Sequence, residues 1–79
     1  MKTFIDSSSL LKKYYFEDGT DRLFKILEKT DEIVVSAVTY VEINNTLKKL
    51  FVEQKLKKEE YVYLANQINK DFPFFTKIK

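Results

Sequence analysis

Apolar and polar positions along this 79-residue chain change their spacing repeatedly, and each change marks an element. Thr3-Phe4-Ile5 is a short apolar run ended by Asp6 and three serines, and reads as a strand. From Ser7 to about Tyr15, the residues Leu10, Leu11, Tyr14 and Tyr15 recur at i, i+1, i+4 and i+5, a helical spacing. Asp18-Gly19 breaks that pattern. Thr20 or Asp21 then opens a second helix, with Leu23, Phe24, Ile26 and Leu27 as a broad apolar face. Glu32-Ile33-Val34-Val35-Ser36 is β-branched without alternation, the pattern of a strand buried on both faces of a parallel sheet. Thr39 begins a third helix to about Glu53, carrying Tyr40, Ile43, Leu47, Leu50 and Phe51 on one side. After a short polar connection, Lys57 or Lys58 starts a fourth helix with Tyr61, Leu64, Ala65 and Ile68 at i, i+3, i+4 and i+7. So short a connection predicts an antiparallel helix pair. Asp71-Phe72-Pro73 ends the last helix, and Phe74 to Ile78 reads as a third strand.

The order β-α-α-β-α-α-β predicts one α/β domain over residues 1–79, with about three short parallel strands and four helices. Strands separated by helices imply right-handed crossovers, with helices on both faces of the sheet. Three short strands make a thin sheet, so the domain reads as incomplete. A chain of this size is marginal without disulfides, metal or association.

Composition narrows the chemistry. With no cysteine there are no disulfides or thiolate ligands, and a reducing cytoplasm is the expected compartment. With no histidine, Ser–His–Asp catalysis is excluded and the commonest general base is missing. A single glycine leaves no glycine-rich phosphate loop. Any metal would meet oxygen ligands only, which favours Mg²⁺, Mn²⁺ or Ca²⁺ over Zn²⁺. Asp6 and the serines interrupt the first apolar run, so it is no signal peptide, and no apolar stretch reaches membrane-spanning length. The net charge of +2 is too small to argue for nucleic acid by itself. A chain that is 44% hydrophobic and 15% aromatic is compact rather than disordered.

Asp6 holds the most informative position. The carboxyl ends of parallel strands are where α/β sheets gather ligands. The serines behind Asp6 can cap the next helix, whose free N–H groups and positive dipole end favour phosphate. Glu42, one turn after the second strand, falls on the same rim if the two strands are parallel neighbours. Two carboxylates there could share a divalent cation. Each also has a purely structural reading. Asp6 can be an N-cap, and Thr39 with Glu42 has the spacing of a capping box. Lys12 and Lys13 are the basic residues nearest the presumed site. Lys48, Lys49, Lys55, Lys57 and Lys58 are interleaved with Glu53, Glu59 and Glu60, as on a solvated surface. Tyr14, Tyr15, Phe16, Tyr61 and Tyr63 read as core and interface. A phospho-aspartate mechanism calls for Asp-x-Asp, and position 8 is Ser.

Together, Phe4-Ile5-Asp6-Ser7-Ser8, the Leu10-Leu11-Lys12-Lys13-Tyr14 helix and Val34-Val35-Ser36…Thr39-Tyr40-Val41-Glu42 resemble the PIN domain. More narrowly, they look like the toxin ribonucleases of VapBC-type toxin–antitoxin pairs. The resemblance runs from Met1 to Ile78 and covers the first part of that family's domain. It implies that Asp6 and Glu42 are catalytic acids binding Mg²⁺ or Mn²⁺, and that the substrate is single-stranded RNA. Ser7, Ser8, Lys12 and Lys13 would then contact the RNA. Further acids of the family come from a C-terminal half, for which Asp71, at the far end of its helix, is a poor substitute. The family's sheet order, 3-2-1-4-5, would leave the first strand at an open edge. The expected partners are a second copy in a dimer, an antitoxin protein or a complementary C-terminal fragment. The alternative is a non-catalytic PIN-like module that acts by association.

Overall fold

A computed structural model describes residues 1–15 and 20–78. The Asp18-Gly19 break and Phe16 lie outside the described residues. The described chain runs β1 (Lys2–Phe4), α1 (Ser7–Leu11), α2 (Thr20–Glu28), β2 (Glu32–Ser36), α3 (Thr39–Val52), α4 (Lys58–Asp71), a 3₁₀ turn (Phe72–Phe74) and β3 (Thr76–Ile78). It is a small α/β fold with a three-stranded parallel sheet in the order β1-β2-β3. Phe4 pairs with Val34, and Val34 in turn with Thr76, so β2 is central and β1 and β3 are edges.

The core takes one or more residues from nearly every element. Ile5, Leu10, Leu11, Leu23, Val35, Ile43, Leu47, Leu56, Ile68, Phe72 and Phe75 are buried together. Each such side chain contributes about 1.5–3 kcal/mol relative to exposure. The apolar spacing read from α3 and α4 accounts for Ile43, Leu47 and Ile68. β2 is less enclosed than its composition predicts: Val35 is fully buried, while its neighbours along the strand are half-buried. A sheet this narrow has too little helix surface around it to cover both faces of its central strand.

Three boundaries differ from the periodicity. β1 ends at Phe4, although the Ile5 N–H still donates to the Val34 carbonyl at 2.9 Å and continues the ladder by one bond. α1 stops at Leu11 instead of running to Tyr15. Lys13 and Tyr14 then donate to the carbonyls of Leu10 and Leu11, three residues back, at 3.0 and 2.9 Å. That tightening is how a helix end satisfies its last carbonyls. At the other end of the chain, Pro73 sits inside a 3₁₀ turn that buries Phe72 and leaves Phe74 exposed, so β3 begins at Thr76.

The turn between α3 and α4 is a Schellman motif. Lys55 N–H donates to the Leu50 carbonyl at 2.9 Å and Gln54 N–H to the Phe51 carbonyl at 3.0 Å. Gln54 has φ of 63°, the left-handed region that glycine prefers. The motif returns the chain so that Phe51 of α3 stacks on Tyr61 of α4, with ring centroids 5.0 Å apart.

Candidate functional site

Asp6 follows β1 directly and caps α1. Its backbone is extended (φ −78°, ψ 169°), and its Oδ1 accepts the Ser9 N–H at 2.8 Å and the Ser8 hydroxyl at 3.2 Å. These donors hold the carboxyl below its ordinary value of 3.8, the Ser9 N–H most strongly, with Lys12 adding a smaller electrostatic pull. Asp6 is exposed and ionised at neutral pH. The structural reading of Asp6 as an N-cap is therefore realised, and it leaves Oδ2 open to solvent chemistry.

Glu42 stands one helical turn into α3. The register that pairs Phe4 with Val34 carries Asp6 level with Ser36, the last residue of β2. Both acids thus belong to the carboxyl edge of adjacent parallel strands. The capping box of Thr39 with Glu42 does not form. Val38 is the N-cap, without a side-chain bond, and Thr39 is already inside the helix and only 1% exposed. Packing claims the threonine that capping would have used. The Glu42 side chain is exposed and makes no hydrogen bond or ion pair among the described residues.

Ser7 and Ser8 line a groove of about 230 Å³ between α1 and α3, facing Thr46 and Leu50. Glu42, Thr46 and Leu50 are spaced i, i+4, i+8, so they share one stripe of α3. Glu42 therefore lies one turn from the two serines, on the side of the strand ends. Thr46 donates its hydroxyl to the Glu42 carbonyl at 3.0 Å, which fixes the hydroxyl on that stripe. The same i, i+4 step from Glu42 could have singled out Thr46 in the sequence. Asp6 lines a second groove of about 190 Å³ with Phe4, Ser9, Leu23 and Ile26, on the α2 side of β1. Neither groove is lined by Glu42.

The two lysines part company. Lys12 stays within electrostatic reach of Asp6. Lys13 is drawn to Asp71, its Nζ 3.2 Å from Oδ2, and lies 4.9 Å from the Tyr14 ring centroid. Tyr14 donates its hydroxyl to the same Asp71 oxygen at 2.8 Å. Asp71 closes α4, whose C-terminal end meets the first turn of α3: Phe72 packs edge-on against Tyr40 with ring centroids 5.0 Å apart, and Tyr40 donates its hydroxyl to Asn69. Burial, then the Asp71 carboxylate, pushes the Tyr14 phenol well above its ordinary value of 10.0. Lys48, Lys49, Lys55, Lys57 and Lys58 are exposed, as on a solvated surface. Tyr61 packs against Phe51, whereas Tyr63, expected in a core or interface, is 62% exposed.

No group of three or more acidic, histidine or cysteine side chains comes together among the described residues. The donor set on the carboxyl edge is one free carboxylate, one capping carboxylate and three hydroxyls. Mg²⁺ keeps several waters and is commonly bound by one or two carboxylates plus substrate phosphates, so Asp6 and Glu42 are the residues that could hold such a cation. No helix among the described residues is long and apolar enough to cross a membrane. Compared with protein-family models and with curated proteins, the sequence matches neither a family nor a relative.

Proposed function

We propose that this chain carries two acids of a PIN-type, metal-dependent ribonuclease of the toxin lineage, with single-stranded RNA as substrate. The observation that carries the reading is the pairing of Asp6 and Glu42 on one edge: an ionised carboxylate behind β1, and an unpartnered one behind the adjacent parallel β2. A divalent cation bound there would lower the pKa of a bound water and offset charge on the phosphodiester. Asp6, held ionised by the Ser9 N–H, and Glu42 supply the negative charge that retains the cation. Ser7 offers its hydroxyl to a phosphate oxygen along the α1–α3 seam, and the Ser8 and Thr46 hydroxyls would do so only by giving up their bonds to Asp6 and to the Glu42 carbonyl. Lys12 adds a positive charge whose contribution falls with salt. No further acid joins them among the described residues, and a second copy or a complementary fragment would supply the rest of the set.

A non-catalytic reading has its own support in the absence of a third acid among the described residues and in exposed Phe4, Val38, Val41 and Ile78 near the strand ends. In that case the edge binds a protein, an antitoxin or a second copy, rather than RNA.

One experiment separates the two. Cleavage of a labelled single-stranded RNA is followed with Mn²⁺ for the wild type, Asp6→Asn and Glu42→Gln, with Mn²⁺ binding measured calorimetrically alongside. Cleavage and metal binding that fall together in both variants support the nuclease. Because the Glu42 carboxylate has no partner among the described residues, Glu42→Gln should cost only the helix-dipole contribution of a first-turn acid, about 0.3–1 kcal/mol. Cleavage that is equal in all three proteins, or an absence of Mn²⁺ binding in the wild type, refutes it.

A further inference from the structure

The turn after α1 and the first half of α4, with Leu56 before it, enclose a groove of about 460 Å³. Its walls are the rings of Tyr14, Tyr15 and Tyr63, and Leu56, only 5% exposed, is an apolar contributor. Among the described residues, the charged groups lining it are the carboxylates of Glu59 and Glu60, with no basic side chain. The groove adjoins a second depression across Glu59 and Tyr63. Its volume falls within the range of small-molecule sites, a few hundred to a thousand cubic ångströms.

Several of these groups are already held in place. The Tyr14 hydroxyl is tied to Asp71, and its ring accepts one cation, the Lys13 ammonium. Glu60 Oε1 accepts the Lys57 N–H at 3.0 Å, which anchors its carboxylate at the start of α4. Glu59 makes no hydrogen bond or ion pair among the described residues. Tyrosine faces attract cations through the ring quadrupole, and carboxylates beside them add to that attraction while repelling anions. The leucine surface suits a hydrocarbon stem.

We propose that this groove binds a small organic cation, an alkylammonium or guanidinium group on an apolar stem. The ammonium or guanidinium lies among Tyr15, Tyr63 and Glu59, and the stem lies over Leu56. Tyr15 also borders the Ser7–Ser8 groove, but neither Asp6 nor Glu42 lines the cation site, whose argument does not depend on how that edge works.

The test is a titration of the full chain with hexylguanidinium and with hexylurea, its neutral counterpart of the same shape, followed by amide chemical shifts. Hexylguanidinium is expected to shift signals at Tyr15, Glu59 and Tyr63 with millimolar or better affinity, and hexylurea to bind roughly tenfold more weakly. Glu59→Gln and Tyr63→Ala, both on exposed positions of α4, should each weaken binding about threefold without moving the thermal midpoint. Asp6→Asn should leave binding unchanged. Equal binding of the two probes, or no saturation in the millimolar range, overturns the proposal. So does binding of an arginine peptide flanked by leucines with none of hexylguanidinium, which would assign the groove to a polypeptide.

Discussion

Asp6 combines a structural and a chemical role, and two substitutions separate them. Its Oδ1 takes the Ser9 N–H at 2.8 Å at the start of a helix of five residues, where one cap satisfies a large share of the free N–H groups. Asp6→Ala removes that bond and should cost about 1 kcal/mol. For a chain of this length the cost corresponds to a fall of about 4–8 °C in thermal midpoint. Asn is as good a cap as Asp, so Asp6→Asn should lose less than half as much. The residual loss is electrostatic and depends on pH. The folded carboxyl titrates below its unfolded value of 3.8, so the unfolded chain binds the proton more tightly. The advantage of wild type over Asp6→Asn is therefore complete above 3.8, declines as pH falls through the lowered folded value, and vanishes below it. Thermal melts of the three proteins by far-UV circular dichroism, at neutral pH and through the acid range, measure both parts. Equal losses in Asp6→Ala and Asp6→Asn, or a wild-type advantage that grows in acid, would refute the assignment. A well-folded Asp6→Asn is also what makes it a clean control for RNA cleavage.

Two further predictions concern stability. Gln54→Gly should raise the thermal midpoint, because a non-glycine residue in the left-handed region costs about 1–2 kcal/mol; part of that gain is offset by glycine's greater freedom in the unfolded chain, and a lowered midpoint would contradict the Schellman assignment. Tyr14 has a folded pKa above its ordinary 10.0, so its contribution is present below pH 10 and is lost as pH rises beyond it. Melts in mildly and strongly alkaline buffer should show wild type losing more stability than Tyr14→Phe, and parallel losses would remove the role given to Asp71.

The element order and the parallel sheet were legible because helix and strand periods leave different marks on where Leu, Ile, Val and Tyr recur. The ends of elements were not, since tertiary contacts decide them. Tyr14 and Tyr15 keep helical spacing beyond the last α1 residue because Asp71, distant in sequence, holds Tyr14 in the following turn. Thr39 has the spacing of a cap but is buried, so the helix starts on Val38 instead. The reverse occurs at α4, where Glu60 caps the Lys57 N–H although Lys57 has no acceptor to return the bond. For the site, the strand-end position of Asp6 followed from pattern, and its sharing a rim with Glu42 followed once β1 and β2 proved to be parallel neighbours. Thr46 was within reach of the same helical spacing from Glu42, whereas the tyrosine groove was not, because it joins segments from opposite parts of the chain.

The parallel sheet has a consequence in time. No two neighbouring strands are joined by a hairpin: Phe4 must find Val34, and Val34 must find Thr76. Closing long loops delays such pairings, whereas α3 and α4 meet across one tight turn and can form within microseconds. The helical pair, which carries Glu42, is therefore an early scaffold, and the strand end that brings Asp6 beside it is assembled late.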